Sequence, residues 1–231
     1  CLFNTGIKIK GMLTVDLINQ NIPRLKPEDS LKKALQLISD FKVTHLPVVA
    51  DDKFLGLVSE DDLLDVEGQN VFMENMQEFM VVAAVPKDAH FLIAVNCSIQ
   101  FDTNVVPVIG AENVYVGSIT TSDLLKALGN FSGANEIGGI IVLEMERSQF
   151  AISEISRIVE SNDCTILHLN TITHAETGLL TVTIHINTRE ISTVIATFER
   201  YDYNVVYNFG IEQFENEIDR NYKNFMHYLD I

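Results

Sequence analysis

His45 to Leu64 read HLPVVADDKFLGLVSEDDLL, and Asn104 to Leu125 read NVVPVIGAENVYVGSITTSDLL. The two stretches are copies of one pattern. Pro47 and Pro107 stand 60 residues apart, while Gly56 and Gly117, Ser59 and Thr120, and Asp62 and Asp123 are each offset by 61, as are Leu63-Leu64 and Leu124-Leu125. The one-residue difference falls where Asp51–Lys53 faces Gly110–Asn113, a turn, where an insertion costs least. An internal repeat of this period sets the architecture before any local reading does.

Working outward, each copy has the same order of elements. Leu25-Lys26-Pro27-Glu28-Asp29-Ser30 reads as a strand end, a turn and a helix cap, and Leu31, Ala34, Leu35 and Ile38 then recur at helical spacing. Pro47-Val48-Val49 is a short buried strand, Asp51-Asp52-Lys53 a turn, Phe54 to Val58 a returning strand, and Ser59 starts another helix. In the second copy Val85-Pro86-Lys87-Asp88 leads to a helix through Phe91, Ala94 and Val95, then to strands over Val105 to Ile109 and Val114 to Ile119. The fold class is α+β, with a β-α-β-β-α unit used twice. A unit of about 50–60 residues is marginal alone, which is the physical reason for packing two together.

Both returning strands end in the form Gly-apolar-x-Ser/Thr-x-x-Asp: Gly56-Leu57-Val58-Ser59-Glu60-Asp61-Asp62 and Gly117-Ser118-Ile119-Thr120-Thr121-Ser122-Asp123. Over residues 12–132 the chain resembles the cystathionine-beta-synthase-type (CBS) family, which carries this motif. The resemblance implies a tandem pair, or Bateman module, that binds adenosine-containing ligands such as AMP, ATP or S-adenosylmethionine between its repeats and associates as a homodimer or higher. The boundaries it implies are 12–68 and 69–132.

Ser59-x-x-Asp62 and Thr120-x-x-Asp123 are also capping boxes, and a cap alone explains both. The same geometry suits a nucleotide, because a helix start offers N–H donors and partial positive charge to phosphate, while the Asp can accept from ribose hydroxyls. The candidate ligand residues are therefore Gly117, Thr120 and Asp123, and Gly56, Ser59 and Asp62, the glycines admitting a ligand close to the backbone. The copies are not equal. Glu60, Asp61, Asp62 and Asp65 crowd the first helix start, offset in part by Arg24 and Lys26, whereas the second has Asp123 with Lys126 one turn on. The second is the better candidate.

From Gly129 to Asn135 the chain reads as a connector, with 133–137 as the linker between domains. Gly138-Gly139 opens a strand through Ile140 to Met145. Ile152, Ile155, Ile158 and Val159 mark a helix, Ile166 to Thr173 a strand, and His174 to Gly178 a turn. Leu180, Val182, Ile184 and Ile186 alternate with Thr181, Thr183, His185 and Asn187, a strand with one face in water. Ile191, Val194, Ile195 and Phe198 mark a second helix, and Asn204 to Phe209 a last strand. This β-α-β-β-α-β order over residues 138–210 fits a ferredoxin-like sheet. After a CBS pair it resembles an ACT domain, and the whole is similar to acetoin-utilisation-type CBS-CBS-ACT regulators. ACT domains bind amino acids at a first strand–helix turn of the form Asp-x-x-Gly. Here Arg147 and Phe150 take those two places, so the turn is expected not to bind one. Ile211, Phe214, Ile218, Tyr222, Phe225 and Leu229 give residues 211–231 the spacing of a final helix.

Composition excludes several classes. A formal charge of -16 argues against nucleic acid and anionic membranes as partners. Cys1, Cys97 and Cys164 have no CxxC spacing and suit reduced thiols in a cytoplasmic protein. Residues 1–11 read as a leader or an expression-derived segment. The six histidines show no metal-ligand spacing, and no GxSxG or Walker-type loop occurs. The expected function is a non-enzymatic ligand-sensing module without cofactor or metal, acting on an unidentified regulated protein through dimer rearrangement. The alternatives are a dimerisation module with no ligand, or an amino-acid sensor through the ACT-like domain.

Overall fold

A computed structural model of the chain describes residues 12–66 and 71–210. The leader (1–11) and the final helix expected over 211–231 lie outside the described residues. The described chain falls into two compact units that part between Asn130 and Phe131.

The first unit contains both repeats. In the first, α1 spans Leu31–Phe41, β1 His45–Ala50, β2 Lys53–Ser59 and α2 Glu60–Leu64. The Ser30 hydroxyl accepts from the Lys33 N–H and starts α1. Ala34 and Ile38 face the core, and Lys42, left-handed at φ 53°, ends the helix. β1 and β2 are an antiparallel hairpin in which Asp51 and Asp52 both take positive φ (46° and 61°). Such a two-residue turn matches the right-handed twist of the strands, and Asp is one of the few residues to tolerate it. In the second repeat, β3 spans Val85–Pro86, α3 Phe91–Gln100, β4 Val105–Ile109, β5 Tyr115–Thr120 and α4 Thr121–Phe131.

Two expectations are corrected. The first strand of the first repeat shrinks to a lone parallel bridge between Leu25 and Val48, where the second repeat has β3 beside β4. Helix α4 also runs through Gly129 and Asn130, which read as connector. A glycine costs a helix about 1 kcal/mol against alanine, too little to stop one whose preceding turns are already formed.

The repeats exchange their lead-in segments. Residues that open the first repeat bond to the second: Phe91 N–H donates to Met12 O (2.9 Å), Thr14 N–H to Ala89 O (2.9 Å) and Val15 N–H to Lys87 O (3.0 Å). The segment that opens the second repeat returns the pattern on the first, through Leu31 to Val71 (2.9 Å), Met73 to Asp29 (3.0 Å) and Glu74 to Pro27 (3.0 Å). Each core accordingly recruits the other copy. Met73, Met76 and Val105 complete the first, and Phe54, Leu57, Leu17 and Ile18 join the second.

In the second unit β6 spans Gly139–Met145, α5 Ile152–Glu160, β7 Ile166–Thr173, β8 Leu180–Ile186, α6 Ser192–Arg200 and β9 Asn204–Phe209. The strands lie in the order β7-β8-β6-β9, each neighbour antiparallel. Burial alternates along β6 and β8. Ile141, Leu143, Val182 and Ile184 form one core with Ile155 and Ile158 of α5 and Val194 and Phe198 of α6, so both helices cover the same face. Ile152, expected on that face, is 58% exposed at the first position of α5.

Candidate functional site

The two motifs sit at equivalent strand–helix junctions, and each is a working cap. Ser59 Oγ donates to Asp62 Oδ2 (2.6 Å) and accepts from the Asp62 N–H (3.0 Å). Thr120 Oγ1 donates to Asp123 Oδ2 (2.6 Å) and accepts from the Asp123 N–H (3.2 Å). The first N–H of each helix is taken as well, Glu60 by Thr44 O (2.9 Å) and Thr121 by Asn104 O (3.0 Å). At the start of α4 this leaves the Ser122 N–H without a partner among the described residues, beside the hydroxyls of Thr121 and Ser122. A phosphate there finds fewer free donors than a bare helix end would offer.

Thr44 and Asn104 themselves join the repeats. Asn104 Oδ1 accepts from the Thr44 N–H (2.8 Å), Thr44 Oγ1 accepts from the Asn104 N–H (3.3 Å), and Asn104 Nδ2 donates to Lys42 O (3.3 Å). Both helix starts are thereby tied to one polar seam between the copies.

Neither glycine faces an open cleft on its Cβ side. A Cβ on Gly117 would collide with Cγ2 of Ile18, and one on Gly56 would stand 2.7 Å from Met80 Cβ. On that side each glycine admits the lead-in segment of the other repeat. Leu57 bridges to Val81 and Ser118 to Asn19 at the next residue of each crossing.

The electrostatics separate the copies. Helix α2 has five residues with Glu60, Asp61 and Asp62 in its first turn, whereas α4 has eleven with Asp123 alone. Burial by itself would raise the Asp123 carboxyl. Hydrogen bonds from Thr120 and Asn19, with Lys126 nearby, outweigh it and hold the group below its ordinary value. His45 lies across from Ser59, and burial lowers its pKa despite Asp62, Asp102 and Asp61. It is therefore neutral at pH 7 and adds no cation to the first motif. Nor do Arg24 and Lys26. Arg24 pairs with Asp52 (3.2 Å) at the turn end of the hairpin, the end opposite Ser59. A recess of about 330 Å³ lies there, lined by Arg24, Lys26, Glu28, Asp51 and Asp52 among others. Its carboxylates outnumber its cations, so it is not an anion site.

In the second unit, Arg147–Gln149 form a single 3-10 turn between β6 and α5. The Gln149 and Phe150 N–H groups donate to Glu146 O (2.9 Å) and Arg147 O (3.3 Å), and the Phe150 ring packs on the core. Among the described residues no group of three His, Cys, Asp or Glu is placed to hold a metal, and no helix is long and apolar enough to cross a membrane.

Asn19, Thr44 and Asn104 were not among the residues singled out from sequence. Asn19 is 104 residues from Asp123, and no local spacing announces such a contact.

Comparison with known proteins bears on the first half of the chain. The family model described as CBS domain matches residues 9–68. Inosine-5'-monophosphate dehydrogenase of Methanocaldococcus jannaschii is 23% identical over 48% of this chain, which spans only 22% of that enzyme's length. Among solved structures, a CBS domain pair/ACT domain protein from Thermotoga maritima is 18% identical with a TM-score of 0.47, over 52% of this chain and 98% of that one. CBSX2 in complex with AMP is 23% identical with a TM-score of 0.42, over 52% and 98% of the two chains. The first repeat thus matches the CBS domain, and the second repeats its hairpin, its motif and its exchanged lead-in segment.

Proposed function

We propose that the chain is a ligand-sensing regulatory module whose CBS pair binds an adenosine-containing nucleotide, with the second cleft as the principal site. The observation that carries this is the Thr120–Asp123 junction. It combines an eleven-residue helix, a single acidic group already held ionised, and Lys126 3.7 Å from Asp123 Oδ1. Asp123 Oδ1 is the acceptor for a ribose hydroxyl, and the hydroxyls of Thr121 and Ser122 with the Ser122 N–H are the donors for phosphate. The match of residues 9–68 to the CBS domain supports the same reading. A thermal-shift series with AMP, ADP, ATP, S-adenosylmethionine and NAD tests it. A ligand at a hundred times its dissociation constant should add about 2.7 kcal/mol of stability. No shift with any of the five would leave the dimerisation module without a ligand as the better account.

The second unit serves this module as an ACT-type domain of ferredoxin-like form. The strand order β7-β8-β6-β9 with both helices on one face supports that reading. The Gln149 and Phe150 N–H groups of its first strand–helix turn are already bonded within the turn, so calorimetry of the full chain against the twenty amino acids should give no saturable heat. Binding abolished by Arg147→Ala would mean that a working site had been taken for a closed one.

Assembly is at least dimeric. Leu64 (63% exposed) and Leu125 (70% exposed) stand at equivalent places on α2 and α4, an apolar surface on each repeat suited to symmetric pairing. Sedimentation at micromolar concentration should give twice the chain mass. A monomer there would exclude dimer rearrangement as the means of signalling.

A further inference from the structure

The two repeats differ in one contact that reaches the second motif. Where each lead-in segment crosses the other copy's hairpin, Ile18 and Met80 cover the glycines, and Asn19 and Val81 are the next residues, bridged to Ser118 and Leu57. Asn19 and Val81 are therefore counterparts. Asn19 Nδ2 donates to Asp123 Oδ2 (3.2 Å). Its own Oδ1 accepts from the Asn21 N–H (3.0 Å), which settles which end of the amide faces the carboxylate. Val81 has no polar atom to offer Asp62.

We propose that Asn19 is a positioning residue of the second cleft. It holds the Asp123 carboxylate with Oδ2 engaged and leaves Oδ1, which meets Lys126 Nζ at 3.7 Å, as the acceptor for a ligand's hydroxyls. The inference rests on the nucleotide reading above. It deepens that reading in two ways. The second motif becomes a site shared by both repeats, since Asn19 belongs to the opening segment of the first repeat and closes on the second. The first motif lacks the corresponding hold, which separates the copies on geometry as well as on charge. The same segment runs on to Leu25, whose N–H donates to Pro47 O (2.8 Å) and whose carbonyl accepts from the Val49 N–H (2.8 Å). A ligand that engages Asp123 thereby loads a strand of chain anchored in the first hairpin.

The test uses the full chain, AMP as the probe, and two variants. In Asn19→Ala, AMP should bind about tenfold more weakly, the order of loss expected when a side chain that a ligand needs is no longer held in place. The Asp123 carboxyl, followed by carbon-13 NMR, should titrate at higher pH, because the amide donor that favoured its ionised form is gone while Lys126 remains. That shift reads the hold on the carboxylate, and the loss of AMP affinity reads whether the hold serves a ligand. Val81→Asn transplants the contact onto the first repeat as a control, where Glu60, Asp61 and Asp65 remain and the AMP stoichiometry should not rise. Unchanged AMP affinity and an unchanged Asp123 titration in Asn19→Ala would overturn the proposal and leave the nucleotide reading standing. Absence of AMP binding to the unsubstituted chain, with the Asp123 titration still shifted in Asn19→Ala, would overturn the nucleotide reading and with it the ligand role of Asn19, leaving only its hold on the carboxylate.

Discussion

Phe198→Ala is expected to cost the C-terminal unit about 3–5 kcal/mol, the usual loss for a fully buried aromatic side chain. Phe198 has no exposed surface and sits on α6 among Ile141, Leu143, Ile184 and Ile155, with the Tyr203 ring edge-on at 5.6 Å between centroids. The surrounding strands are fixed by their ladders and cannot collapse into the space, so a cavity remains. Native domains are stable by only about 5–15 kcal/mol, and such a loss brings the unit close to unfolding. The chain has no tryptophan, so tyrosine fluorescence during urea denaturation is the readout, with Tyr203 beside the lesion. The transition of the C-terminal unit should move to much lower urea, and that of the CBS-bearing unit should not. A loss below about 1 kcal/mol would mean that α6 does not close this core.

The hairpins of both repeats were legible because two independent signals agreed on them. Short apolar runs bounded by turn residues marked the strands, and the offsets of 60 and 61 residues fixed which positions correspond. The strands of the C-terminal unit were legible for the first reason alone. β7 and β9 span Ile166–Thr173 and Asn204–Phe209 as expected, and β8 ends at Ile186, one residue short of the alternating run. Motif chemistry was half legible. Ser59, Asp62, Thr120 and Asp123 form the caps their spacing implies, because a capping box is a local structure. What sequence could not supply was the exchange of lead-in segments. That exchange puts Ile18 on Gly117 and Asn19 on Asp123 across about a hundred residues of chain. A glycine within a strand reads equally as room for a ligand or room for another segment of the same protein. Only the tertiary contact distinguishes them.

Asp123→Ala is expected to weaken AMP binding about a hundredfold, through loss of the acceptor for both ribose hydroxyls. Thr120→Val should also weaken it, and Asp62→Ala and Ser59→Ala should each change it by less than about threefold. The difference follows from charge. Glu60, Asp61 and Asp65 stand around the first motif in addition to Asp62, and each repels a phosphate about 7 Å away by about 0.6 kcal/mol at the dielectric of water. Their sum of about 2 kcal/mol exceeds the attraction of a helix end, which is about 0.3–1 kcal/mol, and α2 has only five residues to supply it. His45 does not offset this, since burial keeps its imidazole neutral at pH 7. The second motif has one carboxylate, held ionised and facing Lys126, on a helix of eleven residues. All four substitutions remove half of a cap, which costs about 0.5–2 kcal/mol of stability whether or not a ligand binds there. Helix content and melting temperature must therefore be measured beside each titration, and the affinities compared only among variants that remain folded. The cap losses should be similar in the two repeats, because the Ser59–Asp62 and Thr120–Asp123 bonds are alike at 2.6 Å, whereas the affinity losses should not. Equal affinity losses, or a larger one in the first repeat, would show that the crowd of carboxylates does not choose the site.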